Sequence, residues 1–180
     1  MQLVIISGRS GSGKSIALQA LEDLGYYAID NLPAMLLGSL VDELRDQGDR
    51  AHLAVSIDAR NLPGALERLP SMLEELRQRN IAFQVIYLTT DARILLERYS
   101  ATRRRHPLTR DSEMTLEEAI NKEEETLHDI RDLADLLIDT SRLSVHDLRR
   151  RITDQVAHQR RDKLTLTLES FGYKRGVPLD

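Results

Sequence analysis

The sequence predicts an α/β protein in which helices cover both faces of a five-stranded, mostly parallel sheet. Two observations predict this three-layer α/β/α arrangement. Short apolar runs alternate with stretches of helical periodicity, and a glycine-rich motif joins the first run to the first periodic stretch. The five runs occupy residues 3–6, 26–29, 53–57, 83–88 and 136–138. The segments between them are long enough for the crossover connections that parallel strands require.

Helical spacing and capping signals support the intervening helices. Apolar residues recur at helical intervals in two stretches: Ala17, Leu18, Leu21 and Leu24 before Gly25, and Leu66, Leu69, Leu73 and Leu76. Two later helix starts carry a hydroxyl residue followed three positions on by an acid, which is the pattern of a capping box. These pairs are Thr115 with Glu118 and Ser144 with Asp147.

Composition excludes several classes of function. The 180 residues include 25 Lys and Arg against 29 Asp and Glu, so the net charge of -4 argues against a chain-wide basic surface for nucleic acid. The absence of cysteine excludes disulfides, thiolate zinc sites and cysteine nucleophiles. No run of about 18 apolar residues occurs, and no early run is long enough for a signal peptide, so we expect a soluble cytoplasmic protein without membrane contact.

The glycine-rich motif satisfies the pattern G-x-x-x-x-G-K-[ST] between a predicted strand and a predicted helix, which is the context of a P-loop. Its positions are Gly8, Arg9, Ser10, Gly11, Ser12, Gly13, Lys14 and Ser15. The motif therefore predicts a P-loop NTPase fold with a phosphate-binding loop.

Each residue type in this motif has a physical reason. The glycines allow positive φ angles, so that backbone N–H groups converge on a phosphate. Lys14 supplies a positive charge for the β- and γ-phosphates and is the first candidate for a catalytic residue, while Ser15 offers a hydroxyl ligand to Mg²⁺. At the variable positions Arg9 and Ser12, direct phosphate contact and solvent-facing filler remain alternatives.

A P-loop also needs an acid that holds Mg²⁺, usually at the carboxyl end of a neighbouring strand. Four aspartates follow predicted strands: Asp30, Asp58, Asp91 and Asp139. In kinase-like P-loop proteins the third strand lies beside the first, so Asp58 is the favoured metal ligand, with Asp30 and Asp91 as alternatives. Asp91 also fits a helix N-cap. Asp139 and the two residues after it lie where such folds pack a loop on the nucleotide base, or they form a simple turn.

Residues 100–108 form a basic segment that is expected to be an exposed loop. Its position between the fourth and fifth strands is that of a lid in P-loop kinases, so Arg103 and Arg104 are further candidates for catalytic residues. An RNA or protein contact and a merely solvated loop are the alternatives. The acidic run at residues 123–125 is expected to be an exposed helix face.

Residues 1–160 are predicted to form the P-loop domain, and residues 161–180 a linker and the start of a further domain. The alternation of leucine with polar residues at 164–169 predicts a strand that arrives after the sheet is complete. The alternative is an edge strand of the same sheet.

The motifs as a set resemble the RNase adapter protein RapZ family of bacterial P-loop proteins. The resemblance is carried by the P-loop, by Asp30-Asn31-Leu32-Pro33, by Asp58-Ala59-Arg60-Asn61, by Thr102-Arg103-Arg104 with His106-Pro107-Leu108, and by residues 169–174. It implies ATP at Gly8 to Ser15, GTP contacts at Asp58, Ala59, Arg60 and Asn61, and weak ATPase and GTPase activity. It also implies an adapter that presents a small RNA to an RNase and thereby regulates production of glucosamine-6-phosphate synthase, mainly through a carboxyl-terminal domain.

The resemblance leaves open whether the chain forms a homo-oligomer and whether Asp58 holds Mg²⁺ or reads guanine. It favours a regulatory nucleotide-binding module. The residues taken alone also fit a P-loop small-molecule kinase. An RNA-binding domain in its own right is a third hypothesis, against which the negative charge argues.

Overall fold

The computed structural model describes residues 1–46, 52–62, 64–103, 105–109 and 113–159. The carboxyl-terminal segment 161–180 lies outside the described residues, as does Arg104. Within the described part, five parallel strands form one sheet in the order β2-β3-β1-β4-β5. The strands are β1 (Gln2–Gly8), β2 (Tyr27–Ile29), β3 (His52–Ser56), β4 (Ala82–Thr89) and β5 (Leu136–Asp139).

All five predicted strands are confirmed, and the third strand lies beside the first as expected. The central strand β1 pairs with β3 on one side and with β4 on the other. Its residues from Leu3 onward are buried, which explains the unbroken apolar run, because a central parallel strand is covered on both faces.

Helices cover both faces of this sheet. The helices are α1 (Lys14–Asp23), α2 (Leu37–Asp46), α3 (Leu69–Gln78), α4 (Ala92–Thr102), α5 (Leu116–Thr126), α6 (His128–Asp132) and α7 (Val145–Gln159), with 3₁₀ turns at Ala34–Leu36 and Pro107–Thr109. One core cluster holds residues of α1 and α7, and the other holds residues of α2, α3 and α6. The structure is therefore the predicted three-layer fold.

Both capping boxes form as predicted. At the start of α5, the side chains of Thr115 and Glu118 each accept a hydrogen bond from the backbone N–H of the other residue. Ser144 and Asp147 do the same before α7. Leu66 lies in the turn before α3 and not in the helix, although it is buried as its spacing suggests.

The basic segment differs from the predicted exposed loop. Helix α4 continues to Thr102, and Arg103 ends it with a left-handed φ of 52°. A 3₁₀ turn follows at Pro107–Thr109. His106 is 1% exposed, so this part of the prediction is wrong, while Arg103 itself is exposed. The reason is that the His106 Nε2 atom lies 3.0 Å from the buried carboxylate of Glu123, a contact that the local sequence does not reveal.

None of the helices in the described ranges combines the length and apolar character needed to cross a membrane.

Candidate phosphate-binding site

The loop between β1 and α1 has the backbone geometry of a P-loop. Gly8, Gly11 and Gly13 have φ angles of 138°, 90° and 106°. A Cβ atom at Gly8 would lie 2.4 Å from the carbonyl oxygen of Leu88 in β4, a separation that backbone atoms cannot accept. Gly13 caps α1, so the N-terminus of that helix, with its partial positive charge, opens at the end of the loop.

Lys14 lies folded over this loop. Its Nζ atom donates hydrogen bonds to the carbonyl oxygens of Gly8 at 2.8 Å and Arg9 at 3.2 Å, and it lies 3.6 Å from Oδ2 of Asp58. Burial lowers the pKa of the Lys14 ammonium below its ordinary value of 10.5, and the charges of Asp58 and Glu123 oppose that shift. The ammonium is thus shielded from water and lies beside the carboxylate of Asp58.

The side chains at the variable positions of the motif, Arg9 and Ser12, are buried and do not face the solvent. Arg9 is 8% exposed, donates to Glu124 at 2.9 Å and also hydrogen-bonds the Thr90 carbonyl oxygen. Ser12 is fully buried, and its hydroxyl has no hydrogen-bond partner among the described residues. An unpaired buried hydroxyl costs free energy unless a ligand satisfies it, and its place in the loop fits a phosphate oxygen.

Asp58 lies at the end of β3 and is fully buried. Its carboxylate accepts hydrogen bonds from the Nη2 atom of Arg60 at 2.6 Å and from the backbone N–H of the same residue at 3.0 Å. Burial acts to raise the Asp58 pKa, but the Arg60 hydrogen bonds and the Lys14 charge outweigh burial and hold the pKa below 3.8. Asp58 is therefore an ionised carboxylate with both oxygens engaged.

The other two residues of the predicted GTP segment, Ala59 and Asn61, make structural contacts within the protein. The Asn61 amide donates to the Leu32 carbonyl oxygen at 3.2 Å and accepts from the Ala34 backbone at 2.6 Å. It therefore ties the segment after β2 to the loop after β3. Ala59 packs against the hydrophobic core.

Asp30 lies beside the hydroxyl that the sequence assigns to Mg²⁺. Its Oδ2 atom is 3.4 Å from the Ser15 Oγ atom, and its Oδ1 atom accepts a hydrogen bond from Ser56. Arg60 lies 3.9 Å away. Unlike Asp58, Asp30 is half exposed, so water and metal can reach it.

The remaining aspartates have local structural roles. Asp91 caps α4 by accepting from the backbone of Arg93 at 2.8 Å, as the alternative reading of that residue predicts. Asp139 accepts from both the backbone and the hydroxyl of Ser141, which forms the predicted turn. Within the described residues, no group of three or more histidine or carboxylate side chains is arranged to hold a metal by itself.

A family model for the RapZ-like N-terminal domain matches residues 1–160. The chain belongs to this family. A nucleotide-binding protein of Chromohalobacter salexigens is 73% identical to this RapZ-like domain over all of it, and one of Pseudomonas putida is 50% identical. The chain spans 61% and 64% of the lengths of these two relatives.

Two solved kinase structures are similar in fold to the RapZ-like domain. A shikimate kinase from Acinetobacter baumannii matches with a TM-score of 0.55 and 21% identity, covering 89% of this chain and 95% of that one. A gluconokinase from Sinorhizobium meliloti matches with a TM-score of 0.54 and 17% identity, covering 88% and 93%. At these identities the likeness shows the kinase-like P-loop fold.

Two residues of the RapZ-like domain contact the P-loop although the sequence analysis predicted no role for them there. Arg98 on α4 donates to the Gly11 carbonyl oxygen at 2.9 Å and to the Thr140 carbonyl oxygen at 2.7 Å, so it ties the P-loop to the loop after β5. Glu123 on α5 is 1% exposed and contacts Ser10.

The predicted exposure of the acidic run is therefore wrong for Glu123, although Glu124 and Glu125 are exposed. The signal was present in the spacing, because Glu123 lies four residues after the buried Ala119 and four before the buried Leu127. Three adjacent acids masked that spacing.

Proposed function

We propose that this chain binds a nucleoside triphosphate, ATP or GTP, with Mg²⁺ at the loop from Gly8 to Ser15, and hydrolyses it slowly as the nucleotide-binding part of a regulatory protein. The observation that carries the proposal is the loop itself, which combines the buried Lys14 ammonium, the start of α1 and the unsatisfied Ser12 hydroxyl. These are donors that suit phosphate. The names of the close relatives agree, since they are called nucleotide-binding proteins.

The contacts support a division of labour between the two aspartates. Ser15 and Asp30 would hold Mg²⁺, because they lie 3.4 Å apart and both are exposed. When bound, the ion would supply positive charge that neutralises the phosphates. Asp58 orients Lys14 from 3.6 Å and is itself oriented by Arg60. This arrangement favours a role for Asp58 at the phosphates over a role in reading guanine.

The arginines after α4 would contribute by closing over the phosphates. Arg103 is exposed at the end of α4, and the same helix is tied to Gly11 through Arg98. We keep Arg103 and Arg104 as candidates for residues that stabilise the developing charge on the leaving phosphate.

The resemblance to the RapZ family supplies the wider role. We propose that the parent protein is an RNase adapter in the cytoplasm that presents a small RNA and so controls glucosamine-6-phosphate synthase production. The nucleotide at this domain would set the conformation that the partner meets. The RNA and RNase contacts would lie mainly outside this chain, which covers less than two thirds of its relatives.

A small-molecule kinase is the second candidate. It is favoured by the half-exposed Asp30 and Arg60 beside Ser15, which could bind a hydroxylated acceptor next to the phosphates.

One experiment separates the two candidates. A ³¹P NMR time course of the chain with Mg-ATP or Mg-GTP and a small-metabolite extract is run beside Lys14→Ala. Slow release of inorganic phosphate that depends on Lys14 supports the regulatory module. A new phosphate ester that depends on Lys14 would instead make the protein a kinase, and no turnover or binding of either nucleotide would overturn both.

A further inference from the structure

Helix α5 contributes a carboxylate directly to the P-loop. The Glu123 side chain accepts a hydrogen bond from the backbone N–H of Ser10 at 2.8 Å and another from the Ser10 hydroxyl at 2.7 Å. The residue is 1% exposed. An anion of the protein therefore already engages donors of a loop whose chemistry suits phosphate.

His106 contacts the same carboxylate, at the oxygen that accepts from the Ser10 backbone. Its Nε2 atom lies 3.0 Å from Oε2 of Glu123, while its Nδ1 atom accepts from the backbone N–H of Leu108 at 3.2 Å. Because Nδ1 accepts, Nε2 carries the proton that faces the carboxylate. Glu123 thus links the P-loop to the segment that follows the arginines.

The contact between Glu123 and Ser10 lies in the part of the loop where the terminal phosphate of a nucleotide is expected. A P-loop lysine reaches the β- and γ-phosphates, and the Lys14 Nζ atom lies against the carbonyl oxygens of Gly8 and Arg9. The γ-phosphate should therefore lie toward the start of the loop, close to Ser10. Glu123 is also close enough to Lys14 for its charge to raise the lysine pKa.

Two anions cannot share these donors at low cost. Like charges in a buried site repel strongly because the surroundings screen them poorly. A diphosphate that occupies the start of α1 leaves Ser10 to Glu123, whereas a γ-phosphate brings negative charge against the carboxylate. The neighbouring ion pair of Arg9 and Glu124, at 2.9 Å, forms a second tie between α5 and the loop that would be disturbed with it.

We propose that Glu123 is a specificity-determining residue that senses the γ-phosphate: a triphosphate displaces its carboxylate from Ser10, and the displacement moves α5 and His106. The ratio of diphosphate affinity to triphosphate affinity is then higher than it would be without Glu123. The position of the segment at residues 105–109 depends on which of the two nucleotides is bound. This inference rests on the proposed binding of nucleotide at the P-loop.

The test is calorimetric binding of Mg-ADP and of a non-hydrolysable Mg-ATP analogue to the 180-residue chain. Glu123→Gln keeps the shape and removes the charge, so we expect affinity for the ATP analogue to rise about tenfold while affinity for ADP changes less than about twofold. The matched control is Glu125→Gln on the same helix, an exposed residue paired with Lys122, which should change neither affinity.

Each other outcome has a distinct meaning. If both nucleotides bind the parent chain and Glu123→Gln shifts both equally, shifts neither, or weakens the ATP analogue, the sensing role is wrong and the proposed function stands. If the parent chain binds neither nucleotide, the proposed function fails and this inference fails with it.

A second measurement needs no variant and covers the case in which Glu123→Gln does not fold. Amide hydrogen exchange of the parent chain is followed in peptides covering α5 (Leu116–Thr126). The ATP analogue should speed exchange there relative to ADP, because it breaks the tie to Ser10. Equal exchange with the two nucleotides would overturn the inference.

Discussion

Lys14 and Asp58 form a buried ion pair across the end of the sheet, with Nζ and Oδ2 3.6 Å apart. Lys14 comes from the start of α1 and Asp58 follows β3, and both are nearly or fully buried. Because β1 and β3 are adjacent parallel strands, their carboxyl ends bring the two side chains together. The pair holds the positive charge of the Lys14 ammonium beside the loop and shielded from water, which is the property that a phosphate site needs.

Lys14→Ala should remove most nucleotide binding. The lost ammonium would otherwise make charge-assisted hydrogen bonds to phosphate, so we expect affinity for Mg-ATP to fall about tenfold to a hundredfold. The measurement is the shift of Tm on adding Mg-ATP. Lys122→Ala, which removes an exposed lysine on α5, is the control and should keep the full shift. An unchanged ATP affinity in Lys14→Ala would contradict the assignment of the P-loop.

Asp58→Asn and Asp30→Asn should separate the roles of the two aspartates. Asp58→Asn removes the partner of Lys14 and Arg60, so ATP and GTP should weaken together by about tenfold. Asp30→Asn should instead raise the Mg²⁺ concentration that half-saturates nucleotide binding, because it removes the carboxylate beside Ser15. Titrations with both nucleotides at several Mg²⁺ concentrations measure these effects. A changed ratio of ATP to GTP affinity in Asp58→Asn would support base reading instead.

Gly8→Ala should destabilise the chain, whereas Gly38→Ala should not. Gly8 has a φ of 138°, and a Cβ there would meet the backbone oxygen of Leu88 at 2.4 Å. We therefore expect a loss of about 3 kcal/mol in the free energy of unfolding. Gly38 lies in α2, and nothing lies within 4 Å of a Cβ at that position, so alanine should stabilise the chain by up to about 1 kcal/mol. Urea denaturation of the two variants checks both values. Similar changes in the free energy of unfolding for Gly8→Ala and Gly38→Ala would show that the close approach of Gly8 to β4 is unimportant.

Stability should fall in acid in a manner that depends on Asp58. Its folded-state pKa lies below 3.8, so the ionised carboxylate stabilises the fold above the unfolded pKa, and this contribution is lost as the pH falls through the depressed folded value. Urea titrations between pH 7 and pH 2 should show a steeper loss below about pH 4 in the parent chain than in Asp58→Asn. Asp154→Asn, an exposed carboxylate on α7, is the control and should keep the slope of the parent chain.

Much of the fold could be predicted because its signals are local in sequence. The strand runs, the loop from Gly8 to Ser15 and the capping pairs at Thr115 and Ser144 each lie within a few residues. The position of β3 beside β1 needed knowledge of the fold type that the P-loop implies. The surroundings of Glu123 could not be predicted, because Ser10 lies 113 residues away and His106 lies 17 residues away.

The sequence by itself determined the alternation of strands and helices and the chemistry of the loop, since backbone preference and side-chain type act over short distances. Tertiary structure decided which polar side chains meet. It brought Asp58 to Lys14, Asp30 to Ser15 and Glu123 to Ser10. The physical reason is that buried charges such as those of Lys14 and Asp58 need partners, and which partner each one finds depends on how strands and helices pack around the same edge of the sheet.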